Sequence, residues 1–471
     1  MRRIGTGFGI RDSGFGKAAA RSARPSALLA ALMFGWCAPG VAWAQGASAP
    51  AEPPALVRLT LADAIDRTLA SSHRVGEYTS REDAARAALA ARSAGDLPVF
   101  TVLAGYARTN HVEEFGIPIA ALSPPKIIYP DVPDNWRARL DVTWPVYTSG
   151  RVGALQQAAK ADAGASSRDV SVARAEARLD VARAFWNLAT ATEAVRVVEH
   201  ALKVVDAHLR DVRTMRDVGL LAPNDVLSVE AQRSREQVLL IEAQNARDVA
   251  EADLRRAAGL ASGTAIEIVA NLEEPTPAPE PLARLLEAAL ANRPERQALE
   301  LRISAFDGRQ KAAAAGLKPT VALGAGLDYA SPNPRIFPRA AAWNDSWDVS
   351  VNVAWPLWDG GRVKAELAEI NASQRALQER LADFDRVIEF EVQQRRLDLE
   401  AARASIGAAT DAVRSASEAH RVVTERFKAG LVTNTEVMDA QVALLEAEVA
   451  RARSLAAARL AQARLERTIG R

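Results

Sequence analysis

The sequence has one cysteine, few aromatic residues and only five histidines among its 471 residues. The cysteine, Cys37, lies in an apolar stretch near the N-terminus, so the rest of the chain can form neither a disulfide nor a thiolate metal site. The histidines are not grouped at metal-ligand spacing, and they are expected to be structural or solvated. No cluster of convergent polar residues suggests a catalytic site. The sequence therefore predicts no enzyme, no cofactor and no bound metal.

Long apolar runs are also missing from the chain after the N-terminal region. None of its apolar runs approaches the ~18 residues that a membrane-spanning helix needs. Residues 1–44 are predicted to be a secretory signal peptide, with a basic start, an apolar stretch and an Ala42-Trp43-Ala44 cleavage site. Cys37 follows Trp36 rather than a small residue, so a lipid anchor is not expected. Without residues 1–44 the chain holds 53 Lys and Arg against 57 Asp and Glu, a net charge of −4, which gives no reason to expect nucleic-acid binding.

The chain is internally duplicated. Trp144-Pro145 recurs as Trp355-Pro356, 211 positions later, whereas Pro98 recurs as Pro319, 221 positions later. The first copy therefore carries extra residues between these two markers. A duplicated unit is the signature of a repeat architecture. The predicted divisions are a first repeat at 45–260, a proline-rich linker at 261–281 and a second repeat at 282–471.

Each repeat is predicted to contain short helices, a pair of strands and a long helical hairpin. The strand pairs are expected at 98–146 and 319–357, and the hairpins at 152–258 and 363–469. No proline interrupts the first rod of the first hairpin, and apolar residues spaced three and four apart predict a coiled-coil seam. About 67 helical residues would make a rod of roughly 100 Å. The loop at about 107–135 is expected to be exposed, as a site of inserted residues should be.

The second strand of each pair alternates apolar and polar residues and carries a tryptophan at each end of its apolar face. These residues are Trp136, Trp144, Trp347 and Trp355. Eight residues at ~3.3 Å span about 26 Å, close to the apolar band of a membrane barrel between two aromatic girdles. The alternation of apolar and polar residues alone would also be expected in the antiparallel sheet of a soluble β-sandwich. The tryptophans at both ends of the two strands favour a membrane β-barrel. Since four strands cannot close a barrel and open edges do not survive in lipid, the chain is expected to form oligomers.

The order of these features resembles the TolC-like outer membrane efflux proteins, also called outer membrane factors. The resemblance rests on the duplication, on the strand-end Trp-Pro followed by Gly-Arg, and on two tips of the form Gly-Leu-x-x-x-(Asp/Glu)-Val. It implies a mixed α and β fold, in which a homotrimer forms a twelve-stranded barrel in the cell outer membrane, continued by an α-helical barrel across the periplasm. It also implies a passive exit duct of a tripartite efflux or type I secretion system. The partners would be a periplasmic adaptor and an inner-membrane RND or ABC transporter, with drugs, metal ions and secreted proteins all open as cargo.

The resemblance also implies which residues work at the periplasmic entrance. Glu436 and Asp439 would form carboxylate rings at a pore constriction, although acidic residues at a helix N-terminus also simply favour the helix dipole. Asp225 and Phe427 would take part in entrance gating, but Val432 stands where the family has an arginine partner. The tips expected to meet the adaptor are Gly219 with Leu220 and Gly430 with Leu431.

A periplasmic adaptor and an exported enzyme are the alternatives to the channel. A periplasmic coiled-coil adaptor or scaffold of an export complex would have one hairpin inserted into a β-rich module, whereas this chain has two hairpins, each with its own strand pair. An exported enzyme would need a polar cluster that the sequence does not show.

Overall fold

The computed structural model of the chain describes residues 56–119 and 124–471, and the expected signal peptide at 1–44 lies outside them. The described elements give a mixed α and β fold. The first copy contains β1 (Val57–Leu59), α1 (Leu61–Ser71), α2 (His73–Ser93), β2 (Val99–Arg108), β3 (Phe115–Ile117), β4 (Lys126–Tyr129), β5 (Asp134–Tyr147), α3 (Arg151–Asp217) and α4 (Pro223–Ala257).

The second copy repeats this order without the additional hairpin. It is preceded by β6 (Ile266–Ile268) and contains α5 (Leu282–Asn292), α6 (Pro294–Ala314), β7 (Thr320–Ser331), β8 (Asn344–Ala354), α7 (Arg362–Lys428) and α8 (Asn434–Thr468). The helices α3 and α7 are both 67 residues long. No helix among the described residues is both long and apolar enough to cross a membrane.

One antiparallel sheet joins the two copies. Its strand order is β2-β5-β7-β8, so the central pair, β5 with β7, takes one strand from each copy. Leu140 lies opposite Leu327, which in turn lies opposite Trp347. Because side chains alternate along a strand, this register places the apolar residues of neighbouring strands on one face. The outer strands β2 and β8 are each paired on one side only within the described residues.

A left-handed glycine makes the turn from each strand pair into its long helix. Gly150 before α3 has φ 77° and Gly361 before α7 has φ 83°, a conformation that glycine adopts at little cost. In the second copy the Asp359 carboxylate accepts hydrogen bonds from the backbone N–H of Gly361 at 2.9 Å and of Val363 at 2.8 Å. The strand therefore passes into the helix within a few residues.

The long helices pack along the seam that the sequence predicts. In α3 the seam residues Val205, Leu209 and Val212 are buried, and α3 packs against both α4 of its own hairpin and α8 of the other. In α7 the seam residues Leu399 and Phe427 are buried, and the seam positions between them are half-buried among exposed neighbours. The first hairpin thus contributes the central helix of the packed bundle.

Two stretches expected to be irregular contain short strands. Within the linker expected at 261–281, β6 pairs in parallel with β1, and the loop expected at 107–135 holds the β3–β4 hairpin. The linker strand forms because Ile266 and Ile268 pack against the buried cluster around Phe185. The prolines that suggested a linker all follow this strand, so they do not interrupt it.

A glycine sets the closest approach between α6 and α3. A Cβ atom added at Gly308 would lie 2.6 Å from the carbonyl oxygen of Ala154 and 2.8 Å from the backbone nitrogen of Ala158. Both contacts are with backbone, which cannot rotate away as a flexible side chain can. The absence of a side chain at Gly308 therefore positions α6, and with it the start of β7, against the first hairpin.

We predict that Gly308→Ala destabilises the protein by about 1–3 kcal/mol, because overpacking must push the two helices apart. The matched control is Gly407→Ala in α7, where an added Cβ meets nothing within 4 Å and the higher helix propensity of alanine should stabilise by up to about 1 kcal/mol. Thermal unfolding of both variants in detergent checks this. Equal behaviour of the two would show that the crossing at Gly308 is not tight.

Candidate functional site

Each helical hairpin ends in a tip made by a glycine. Gly219 has φ 80° and Gly430 has φ 72°, and in each tip the next residue's N–H bonds back into the preceding helix, from Leu220 to Met215 O at 2.8 Å and from Leu431 to Arg426 O at 2.9 Å. These bonds satisfy carbonyl groups that a helix end would leave open. Leu220 and Leu431 are 73% and 74% exposed. The tips therefore offer apolar side chains to solvent in the isolated chain.

The two acidic residues expected at the constriction lie in the first turns of α8, and both are exposed. Glu436 is the third residue of the helix and caps it, because its carboxylate accepts hydrogen bonds from the N–H and the hydroxyl of Thr433, both at 3.1 Å. Such a capping box stabilises the helix start. Glu436 thus has a structural role in the single chain, and it retains a second carboxylate oxygen for other interactions. Asp439 lies three residues further on.

The residues expected to gate the entrance are brought together, but mainly by apolar contact. Phe427 is only 5% exposed and belongs to a buried cluster at the tips, against which Val432 packs. The cluster takes residues from both hairpins: Val205, Leu209, Val212, Val226, Val229, Phe427 and Val437. Asp225 is half-buried at its edge. Where the family pattern has polar partners, this chain has a hydrophobic core.

One polar bridge crosses between the hairpins at this cluster, and sequence reasoning missed it. Asn434, the first residue of α8, is 4% exposed. His208 Nε2 of α3 lies 2.7 Å from Asn434 Oδ1, and Asn434 Nδ2 donates to the backbone carbonyl of Asp225 at 3.3 Å. Asp225 therefore takes part through its backbone oxygen. The Phe427 ring lies edge-on to the imidazole, with 5.2 Å between ring centroids.

A comparison of the two copies could have revealed this bridge. At the offset of 211, Asn434 corresponds to Pro223 and His208 corresponds to Ala419. Neither partner is thus shared by the two copies. A polar residue that stands where the other copy has an apolar one can indicate a local interaction, whereas the duplication emphasises what the copies share.

The four tryptophans of the sheet lie at its two ends, and each is exposed. Trp144 Nε1 donates to Asp96 O at 2.9 Å and Trp355 Nε1 donates to the equivalent Leu317 O at 3.2 Å, both beside the helical part. At the other end Trp136 packs against Tyr106, with 4.3 Å between ring centroids. The strand-end tryptophans therefore border an exposed apolar face on both sides.

The opposite face of the sheet carries a network of ion pairs. Arg139 of β5 contacts Asp328 of β7, Asp348 of β8 at 3.0 Å and Asp141 at 2.7 Å. Its guanidinium lies over Gly326, where a Cβ atom would collide with it. One arginine thus connects three strands, and this polar face contrasts with the apolar face behind it.

The two copies also match a family of known proteins. The model of the family described as outer membrane efflux protein matches residues 64–260 and 285–471, one segment in each copy. The chain belongs to this family. The predicted family and the outer-membrane location are confirmed, and the adaptor interpretation is not supported.

Individual relatives agree with this assignment. The outer membrane efflux protein BepC of Brucella suis is 30% identical over 263 residues, and the chain spans about half the length of this curated relative, 54% of each sequence. Among solved structures, the outer membrane protein VceC of Vibrio cholerae has a TM-score of 0.71 at 21% identity, covering 87% of this chain and 96% of that one. The CmeC outer membrane channel of Campylobacter jejuni has a TM-score of 0.71 at 15% identity, covering 87% and 85%. At these identities the structures show a shared fold.

In this outer membrane efflux protein, a narrow and mostly apolar cleft lies between the hairpins, next to the His208–Asn434 bridge. Four polar side chains contribute to its lining: His208, Gln232, His420 and Gln441. Burial lowers the pKa of His420, and the neighbouring His208 lowers it further. Other titratable groups beside His420 line the adjoining groove: His200, Arg421, Glu425, Lys428 and Glu448.

A buried carboxyl group in the same bundle has its pKa shifted in the opposite direction from that of His420. Glu236 of α4 is fully buried and accepts a hydrogen bond from Gln232 Nε2 at 3.2 Å. Its other oxygen has no hydrogen-bond partner among the described residues. Burial raises the pKa of Glu236, and the charge of Asp206 adds to the effect. Packing of the hairpins therefore favours the uncharged forms of both His420 and Glu236.

We predict that packing of the two hairpins weakens as the pH falls below about 6.5, the pKa of an unperturbed histidine. Below this pH, His420 binds a proton more readily when the hairpins are unpacked than when they are packed. The free energy of packing therefore decreases by at most about 1.4 kcal/mol per pH unit. His420→Gln should flatten this dependence. His200→Gln, at an exposed position, should leave it intact. In Glu236→Gln the packing should weaken more steeply as the pH falls. Protonation of Glu236 favours packing at acidic pH, and glutamine cannot supply this contribution.

The measurement is hydrogen exchange of amides near the tips at pH 5.5 to 7.5, corrected for the intrinsic exchange rate. A His420→Gln variant with the same pH dependence as the unmodified protein would contradict the assignment to this imidazole.

Proposed function

We propose that three copies of this chain form a twelve-stranded β-barrel in the outer membrane, continued by an α-helical tunnel through the periplasm. The assembly would serve as the passive exit duct of a tripartite efflux or type I secretion system. The proposal depends mainly on the four-stranded sheet. Within residues 56–119 and 124–471 the outer sides of β2 and β8 have no partner strand, and one face of the sheet is apolar and exposed. Three such sheets joined edge to edge give twelve strands, within the range of membrane barrels.

The exposed face of β8 supports a lipid contact. Val349, Val351 and Val353 are 64–70% exposed between Trp347 and Trp355, which is the pattern of an apolar band between aromatic girdles. The polar face behind them, with Arg139 and its aspartates, would then line the water-filled interior. A closed barrel leaves no backbone group without a partner in lipid.

The helical rods also show apolar surface that a neighbouring copy would cover. These exposed residues are Val238, Leu239, Ile241 and Val249 of α4, and Val387, Phe390 and Leu397 of α7. Exposed apolar patches of this kind mark interaction sites. Rods of 67 residues are roughly 100 Å long, so they would extend the barrel into a tunnel.

The two tips of each chain would form the periplasmic end of the tunnel. Gly219 with Leu220 and Gly430 with Leu431 would contact a periplasmic adaptor, which couples the duct to an inner-membrane RND or ABC transporter. Glu436 and Asp439 would contribute two rings of three carboxylates around the entrance. Rings of acidic side chains select for cations.

We predict that the double variant Glu436→Gln, Asp439→Asn loses most of the cation preference of the channel, because the six charges of the proposed rings are removed without a change in side-chain size. The measurement is the reversal potential in planar bilayers under a salt gradient. Glu446→Gln is the matched control, an exposed carboxylate of the same helix, ten residues or about 15 Å from Glu436. Unchanged selectivity in the double variant would remove these residues from the constriction.

A further inference from the structure

The two hairpins of one chain are held together at their tips by contacts of two kinds. The first kind is the apolar cluster around Phe427, and apolar burial is not directional, so it permits small shifts of one hairpin along the other. The second kind is the hydrogen bond between His208 and Asn434. A hydrogen bond requires a defined distance and angle. The bridge therefore defines the position of the second tip on the first hairpin.

The orientation of the Asn434 amide follows from its partners. Its Nδ2 lies 3.3 Å from the carbonyl oxygen of Asp225, which can only accept, so Nδ2 is the donor there. Its Oδ1 is then the acceptor from His208, and His208 must carry a hydrogen on Nε2 at the 2.7 Å contact. The bridge thus runs from α3 through Asn434 to the first tip.

The surroundings make this bridge difficult to replace by water. Asn434 is 4% exposed, and the neighbouring Phe427 and Val437 are 5% and 3% exposed. A buried amide that loses its partner keeps its desolvation cost. Asn434 is also the first residue of α8, two residues before Glu436 and five before Asp439. Any displacement of Asn434 must move both carboxylates.

We propose that the His208–Asn434 bridge is the latch that holds the second hairpin against the first at the periplasmic entrance, and so sets the spacing of the Glu436 and Asp439 carboxylates. The inference rests on the proposed channel function. His208 and Asn434 are positioning residues: they act on the entrance through the first turn of α8. They take the place of the polar latch atoms that Phe427 and Val432 lack.

The test compares two substitutions of the same residue in the full-length protein. His208→Leu removes the donor and leaves Asn434 without its partner, whereas His208→Gln can offer an amide N–H at a position similar to that of Nε2. His200→Leu is the matched control, an exposed histidine two turns earlier in α3. The double variant His208→Leu, Asn434→Leu removes both side-chain partners. It should shift the entrance less than His208→Leu alone does, because no polar side chain of the bridge remains buried without its partner.

Single-channel recording in planar bilayers gives the first readout. In His208→Leu the ratio of open to closed states should rise by roughly tenfold or more per protomer, the factor expected when a buried polar group loses its partner. His208→Gln and His200→Leu should resemble the unmodified protein. Equal behaviour of His208→Leu and His200→Leu would overturn the latch. So would an equal rise in His208→Leu and His208→Gln, because packing of the imidazole rather than its hydrogen bond would then be responsible.

Hydrogen exchange of the first turns of α4 and α8 gives a second readout that does not depend on conduction. Exchange there should accelerate in His208→Leu and remain slow in His208→Gln, with little change in the thermal unfolding of the rest of the protein. If the unmodified protein does not conduct, the proposed function fails, and this comparison still decides on the latch. Unchanged exchange in His208→Leu would refute it.

Discussion

Unsatisfied backbone groups at the two open edges of the sheet are the constraint on which the rest of the structure depends. β2 and β8 each lack a partner on one side within the described residues, and in lipid such an edge costs several kcal/mol per group. In the proposed assembly, the four-stranded sheet would obtain its missing partners from other copies of the chain. Three copies would then bring three pairs of helical hairpins, and three pairs of tips, around one axis.

The duplication supplies similar parts, and the differences between the copies give them separate roles. α3 of the first copy packs against helices of both hairpins, whereas the seam of α7 is only partly covered within one chain. At the tips Pro223 stands in one copy where Asn434 stands in the other. The second tip therefore carries both the bridge to His208 and the capping residue Glu436. The two hairpins therefore share one plan but differ in the contacts that they make within the chain.

Local signals made much of the fold predictable. Glycines at the tips and at the strand-to-helix turns, the period of two in the strands and the seam in the rods each depend on neighbouring residues. The β6 strand escaped notice because only three residues pair and prolines follow them. The His208–Asn434 bridge joins residues 226 positions apart, so no local pattern contains it. Neither partner is repeated in the other copy, so the features that the two copies share include neither of them; only the differences between the copies indicate the bridge.

The most direct test of the account is the native mass of the detergent-extracted particle from separated outer-membrane fractions. We expect three chains per particle in that fraction, because only three copies of the four-stranded sheet give the proposed barrel of twelve strands. A monomer released with the soluble periplasmic proteins would contradict it. The tryptophan-bordered face of the sheet would then have to be covered by something other than lipid.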